Sequence, residues 1–191
     1  PVEDFEINAH GTFNVLEAVR ESGRKPMVIY SSTNKVYGGM PDVAVVKGEK
    51  RYTFRDFPEG ISETQPLDFH SPYGCSKGAA DQYVHDYGRI YDIPTVVFRQ
   101  SCIYGQRQFG VEDQGWVAWF SIAAMLNRPI TVYGDGLQIR DLLHVDDLVN
   151  AYKAAANQPD RSAGQIFNMG GGPTRTLSLV ELLEFLEKRF N

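Results

Sequence analysis

The sequence predicts an α/β protein built on part of a doubly wound parallel sheet, and three observations carry that prediction. Residues 27–32 (MVIYSS) form a short apolar run that turns into serines, as a buried strand does where it ends at a polar crevice. Residues 95–101 (TVVFRQS) repeat the pattern. Between them, residues 72–91 place apolar side chains at helical spacing behind a Ser-Pro start, and Pro94 stops the helix before the second strand. Strand, helix and strand with polar residues at both strand ends is the layout in which open α/β sheets hold ligands, outside the carboxyl ends of their strands.

The remaining elements follow in order. Residues 4–22 read as a helix with Phe5, Phe13, Leu16 and Val19 on or near one face, closed by Ser22-Gly23. Residues 39–70 are a long connection rich in proline and charge, read as a lid or packing excursion on the substrate side. The 72–91 helix is expected to bury Ala80, Tyr83, Val84, Tyr87 and Ile90. An apolar helix at 114–127 carries Trp116 and Trp119, for which packing outweighs stacking on a base, and ITVYGDG (130–136) reads as a short strand and turn. In HVDDL a helix starts at Val145 or Asp146, where Asp146 and Asp147 suit the N-terminus and read as structural, not as an acid/base pair. IFNMG is a strand, and Gly170 to Gly172 form a tight connection, since Pro173 and a polar turn follow. SLVE, from Ser178 to Glu181, is a capping box that opens a helix with Leu179, Leu182, Leu183 and Leu186 inward.

With 191 residues and 42% hydrophobic content, the chain is long enough for one domain with a core. A net charge of −5 without a basic stripe argues against a nucleic-acid partner, and no apolar run approaches a membrane span. Cys75 and Cys102 read as reduced thiols, and neither they nor His10, His70, His85 and His144 have metal-ligand spacing, so no metal is expected. No signal peptide is visible, and a cytoplasmic location is expected.

Tyr73 and Lys77 stand four apart on the predicted helix, so both side chains rise from one face and can share a proton. A free phenol, with a pKa of about 10, is a poor base at neutral pH. An ammonium one turn away stabilises the phenolate and brings it into working range. Thr33, at the end of the first strand, supplies a second hydroxyl. A lone YxxxK more often means a surface lysine beside a half-buried tyrosine; its place between two strands with polar ends favours the base.

The runs NAHGTFNVLEA, SSTNKVYG, SPYGCSK, FRQSCIYGQRQFG, ITVYGDGLQIRDLLHVDDL and FNMGGG together resemble the extended short-chain dehydrogenase/reductase family, the nucleotide-sugar epimerases and dehydratases, over essentially the whole chain. Within it, RQSCIYGQRQFGVEDQGWVAWF and the stretch KGEKRYTFRDFPEGISETQPLDFHSPYG are similar to the CDP-tyvelose (CDP-paratose 2-) epimerases. The resemblance implies a single partial domain. Residues 1–105 would be the C-terminal half of a Rossmann-type domain with the Thr/Tyr/Lys site, and 106–191 mostly a substrate-binding portion with returning Rossmann elements. It also implies a mechanism: Tyr73, as phenolate, takes the proton from a sugar hydroxyl while a hydride leaves the same carbon for NAD, and later returns to the opposite face. Lys77 depresses the Tyr73 pKa and reaches the cofactor ribose, and Thr33 holds the reacting oxygen.

By the same resemblance, Ser31, Ser32, Ser101, Cys102 and Ile103 join Tyr73 and Lys77 on the cofactor side, the last three as a loop facing the nicotinamide. Arg140 matches the family's diphosphate-binding arginine, whose fork holds two phosphate oxygens; the alternative is a surface pair with Asp141 or Asp147. Arg107 is a second candidate, Tyr133 flanks the base, and Asn34 and Cys102 touch substrate. Two departures matter. Asn34 and Lys35 stand where the dehydratases carry an Asp-Glu pair, which argues for epimerisation over dehydration and leaves a reductase open. Cys102 replaces an Asn found in many members, which fits a specialised substrate.

Members of the family open with a GxxGxxG turn that holds the cofactor pyrophosphate, and no such turn stands near the start of this sequence. The chain is therefore expected to be a piece of a larger enzyme, inactive and unable to bind a dinucleotide by itself; the alternative is a catalytically incompetent remnant. The expected partners are a CDP-linked nucleotide sugar and further copies of the chain, as a homodimer or higher homo-oligomer.

Overall fold

A computed structural model describes residues 1–190. A helical run opens the chain as α1 (Val2–Asp4), a π-helical segment (Phe5–His10) and α2 (Gly11–Glu21). There follow β1 (Val28–Thr33), a 3₁₀ turn (Asn34–Tyr37), β2 (Val45–Lys47), β3 (Tyr52–Phe54), α3 (Ser71–Tyr91), β4 (Thr95–Gln100) and β5 (Cys102–Tyr104). The rest comprises α4 (Trp116–Met125), β6 (Ile139–His144), α5 (Val145–Asn157), α6 (Pro159–Ser162), β7 (Gln165–Met169), β8 (Thr176–Ser178) and α7 (Leu179–Phe190). These elements group into two compact units: residues 1–40, 62–100 and 148–169 in the first, and 41–61, 101–147 and 170 onward in the second.

In the first unit three parallel strands are ordered β1-β4-β7. Side chains alternate across a strand, so β1 and β4 each serve two cores. Val28, Tyr30 and Val97 pack with Leu16 of α2 and with Val84 and Tyr87 of α3. Ile29, Val96 and Phe98 face the other way and pack with Ala151, Tyr152 and Ala155 of α5 and Phe167 of β7. Every residue of β4 is buried, as a strand covered by helices on both faces must be. The sheet is the parallel α/β arrangement expected from the sequence.

The expected helices and strands of this unit appear within a residue or two, but their faces differ. Leu16 is fully buried, whereas Phe5 and Phe13 are exposed. Phe5 lies in the π-helical segment, which changes the angular spacing of the residues before Gly11, and Phe13 sits at the edge of the buried face against the Tyr83 ring. On α3, Ala80, Val84 and Tyr87 are buried but Tyr83 and Ile90 are exposed. Tyr83 instead continues an edge-to-face ladder that runs Phe13, Tyr83, Tyr87, Tyr91, with centroids 5.7, 6.5 and 4.8 Å apart.

In the second unit β5 pairs parallel to β6, which pairs antiparallel to β8, and β2 and β3 form a separate antiparallel pair. The connection at 39–70 thus contains a hairpin. No strand forms over 130–136; the strand is β6, which begins at Ile139. Both tryptophans pack beside Phe120, Leu182 and Leu186, the core shared by α4 and α7. The capping box is reciprocal: Ser178 Oγ accepts from Glu181 N at 3.1 Å, and Glu181 Oε2 accepts from Ser178 N at 2.8 Å. Glu181 also takes a forked ion pair from Arg51, at 2.6 Å from Nη2.

Candidate active site

The carboxyl end of β1 and the first turns of α3 build the site. β1 delivers Ser31, Ser32 and Thr33 in register with Phe98, Arg99 and Gln100 of β4. Thr33 is buried and caps the 3₁₀ turn, its Oγ1 accepting from Lys35 N at 3.3 Å; the hydroxyl's own hydrogen can still be given to a reacting oxygen. Ser31 Oγ donates to Gln100 Oε1 at 3.1 Å, and Gln100 Nε2 donates to Tyr152 Oη at 2.9 Å. Ser32 is buried and donates its hydroxyl to Asp81 Oδ2 at 2.6 Å, so that hydroxyl is committed inside the protein and leaves the backbone for any cofactor contact. Asn34 and Lys35 are exposed on the turn.

Helix α3 starts at Ser71-Pro72, as the Ser-Pro signal predicts, with Ser71 Oγ accepting from Gly74 N at 3.1 Å. Tyr73 is 43% exposed, which leaves the phenol open to a ligand. Lys77, one turn on, lies half-buried with its ammonium 4.5 Å from the Tyr30 ring centroid and donates to Ser31 O. Burial lowers the Lys77 pKa, and the Asp81 carboxylate opposes that shift. Burial likewise pushes the Tyr30 phenol above its usual range. Tyr30 is therefore a neutral ring under the cation, while the Tyr73 ring is exposed.

Beneath these groups lies a polar network that spacing alone did not reveal. Asp81 and Arg99 are buried and joined by two bonds, Nε to Oδ2 at 3.0 Å and Nη2 to Oδ1 at 2.9 Å. Arg99 Nη1 donates to Tyr37 Oη at 3.0 Å, and Tyr37 donates to Asn168 Oδ1 at 2.7 Å. Removing one partner of such a pair strands a buried charge and costs about 3–5 kcal/mol. The available signal was an arginine directly after the apolar Val96-Val97-Phe98 run of a strand, and an aspartate one turn past Lys77. Asn8, from the π-helical segment, donates to Ser76 Oγ at 3.0 Å and braces α3 from the other side.

Six predicted site residues, Ser31, Ser32, Thr33, Asn34, Tyr73 and Lys77, belong to the first unit and gather where β1 meets α3. Ser101, Cys102, Ile103, Arg107, Tyr133 and Arg140 belong to the second. Cys102 and Ile103 are not in a loop: they lie in β5, held by pairing with Leu142 and Leu143 of β6. The Ser101 hydroxyl is buried without a hydrogen-bond partner. Arg107 is exposed with φ 65°, and Tyr133 is exposed at 69%. Arg140 is half-buried and donates to Ile139 O at 2.9 Å, and among the ion pairs of the described residues none joins it to Asp141 or Asp147. Among the described residues there is no cluster able to hold a metal and no helix long and apolar enough to cross a membrane.

Residues 1–170 match the family model for the NAD dependent epimerase/dehydratase family. The chain belongs to that family. It is 50% identical, over all of its length, to the CDP-paratose 2-epimerase of Salmonella typhi. Among solved structures, it resembles UDP-glucose 4-epimerase from Thermotoga maritima with UDP-glucose, at 28% identity and a TM-score of 0.78 over 98% of this chain and 54% of that one. It also resembles the Thermus thermophilus UDP-glucose 4-epimerase complex with NAD, at 30% identity and a TM-score of 0.75 over 96% and 54%. The chain spans only 58% of the Salmonella relative's length.

The residues present suit one end of a nicotinamide cofactor. An ammonium and an exposed phenol stand one helical turn apart, beside the carboxyl end of a parallel strand, where a ribose and its reacting ring find donors. Among the described residues no GxxGxxG turn is present for the pyrophosphate.

Proposed function

We propose that the full-length protein carrying this chain is an NAD-dependent nucleotide-sugar epimerase, an isomerase that inverts a sugar carbon by transient oxidation and re-reduction. The observation that carries this reading is the placement of Tyr73 and Lys77 on one face of α3 beside Thr33 at the end of β1. Tyr73 takes and returns the proton of the sugar hydroxyl. Lys77, its charge supported by the Tyr30 ring, the Ser31 carbonyl and Asp81, stabilises the phenolate and reaches the cofactor ribose. Thr33 holds the reacting oxygen. NAD, when bound, supplies reversible hydride acceptance. In the first unit Ser31 and the Ser32 backbone serve the cofactor; in the second the same role goes to Ser101, Cys102 and Ile103, the last two presented from a strand.

For the substrate we assign a CDP-linked deoxyhexose, with inversion at C2. The 50% identity to a CDP-paratose 2-epimerase supports it; Asn34 and Lys35, in place of paired carboxylates, favour epimerisation over dehydration. Arg140 takes the diphosphate, with Arg107, Tyr133, Asn34 and Cys102 as further contacts. The first unit corresponds to the Rossmann-type part, the second mostly to the substrate-binding part, and the enzyme works in the cytoplasm as a homodimer or higher homo-oligomer. Replacing the base tests the reading: in the full-length protein, Tyr73→Phe is expected to lower turnover by about 10² to 10⁴ while nucleotide-sugar binding stays near wild type. Near-normal turnover by that variant contradicts the assignment.

A further inference from the structure

We propose that the buried Asp81–Arg99 pair is the positioning element of this site, fixing Tyr73 and Lys77 against Thr33 through the Ser32 hydroxyl; the inference rests on the function proposed above. Tyr73, Lys77 and Asp81 follow one another at intervals of four on α3 and so share one stripe of the helix. The outermost of the three is exposed and the innermost fully buried. At that inner end the carboxylate receives Arg99 of β4 through two bonds and Ser32 of β1 through a third. A forked arginine–carboxylate contact has one good geometry, so the rotation and axial position of α3 relative to both strands are set at this point. Thr33 is the next residue along β1.

The same pair holds the turn that carries Thr33 at both ends. Ser32, bound to Asp81, precedes it, and Tyr37, bound to Arg99 Nη1 at 3.0 Å, closes it. Stability alone is a weak reason for such an arrangement, because well-packed apolar residues of similar volume often serve as well as a buried ion pair. What the pair adds is direction: three elements meet at one carboxylate, and the groups proposed to exchange the proton lie one and two turns away.

Two variants of the full-length protein test this. Asp81→Asn/Arg99→Gln removes both charges together and leaves no stranded ion; Ser32→Ala cuts only the link from the pair to the strand. Each is measured for kcat and KM and for hydrogen exchange of the peptides covering Ser31–Lys35 and Tyr73–Lys77. The expected result is a fall in kcat of about 10- to 100-fold with KM little changed, since small misplacements of reacting groups cost this much. Amide protection is expected to drop in those two segments and not across β4 and β7. Unchanged kcat in a folded variant, or protection lost evenly over the whole first unit, overturns the positioning role. If wild type turns over no nucleotide sugar, the function fails but the exchange pattern still decides the positioning; if Tyr73→Phe alone is fully active, only the base assignment falls.

Discussion

Single side chains set how the first unit responds to acid. Glu17 of α2 accepts from Arg20 at 2.8 and 2.6 Å and from Tyr87 of α3 at 2.6 Å, and these bonds, Arg20's first, hold its pKa down from 4.5 to about 2. A depressed carboxylate contributes stability that is present above its unfolded value and is lost as pH falls toward the folded one. Acidification from about 4.5 to about 2 is therefore expected to lower the unfolding temperature more steeply in wild type than in Glu17→Gln. Parallel curves over that range contradict the coupling. At this scale the sequence was legible where residue type and local spacing coincide: that Tyr73 and Lys77 share a helix and that Thr33 ends the first strand could be read from the chain alone. The partners of Lys77 could not, because the Tyr30 ring and the Ser31 carbonyl reach it only through pairing of elements 46 and 47 residues apart. Ser32 was named from the family resemblance, which does not say where the hydroxyl points, and strand alternation turned it inward onto Asp81.

Elements declare themselves in the sequence when their stabilising contacts are local. The capping box before α7 is such a case, and Ser178→Ala is expected to cost about 1 kcal/mol, read as a lower unfolding temperature. Gly78 gives a less obvious prediction. Alanine is the better helix former by about 1 kcal/mol, yet a Cβ at Gly78 would stand 2.4 to 2.7 Å from three ring atoms of Phe69. Overpacking of this kind costs about 1–3 kcal/mol, so Gly78→Ala should destabilise on balance; a higher unfolding temperature would show that Phe69 yields freely. The hairpin of β2 and β3 and the late start of β6 were hidden for the opposite reason. Three-residue strands carry no useful period, and Ile130 to Val132 looked more like a strand than the charged IRDLLH run that forms β6. The exposure of Phe5 was misjudged because a π-helical segment shifts the stripe before Gly11, a feature that propensity does not encode. On α3, Tyr83 was taken for core because helical spacing does not separate a buried ring from one that stacks edge to face at the rim.

At the scale of the molecule, a parallel α/β sheet was readable from two apolar strands and the helix between them, since a strand as apolar as β4 is hidden by cover on both faces. The order β1-β4-β7 was not, because which strand pairs on the far side of β4 is set by long-range packing that local pattern does not carry. The exposure of Val2, Phe5, Ile7, Val15 and Ile90 on the first unit's helices fits the proposed self-association. Light scattering of the full-length protein at micromolar concentration should then give at least a dimer mass, and a monomer would count against it. The central claim, inversion of a sugar carbon by a Tyr73-centred site, is tested most directly by the substrate itself. The full-length protein with NAD is incubated separately with a CDP-linked deoxyhexose and a UDP-hexose, and the ring protons are followed by NMR. The account predicts inversion at C2 of the CDP-linked sugar in preference to C4 of the UDP-hexose. Exclusive C4 inversion would contradict the substrate assignment, and no inversion of either sugar would contradict the central claim.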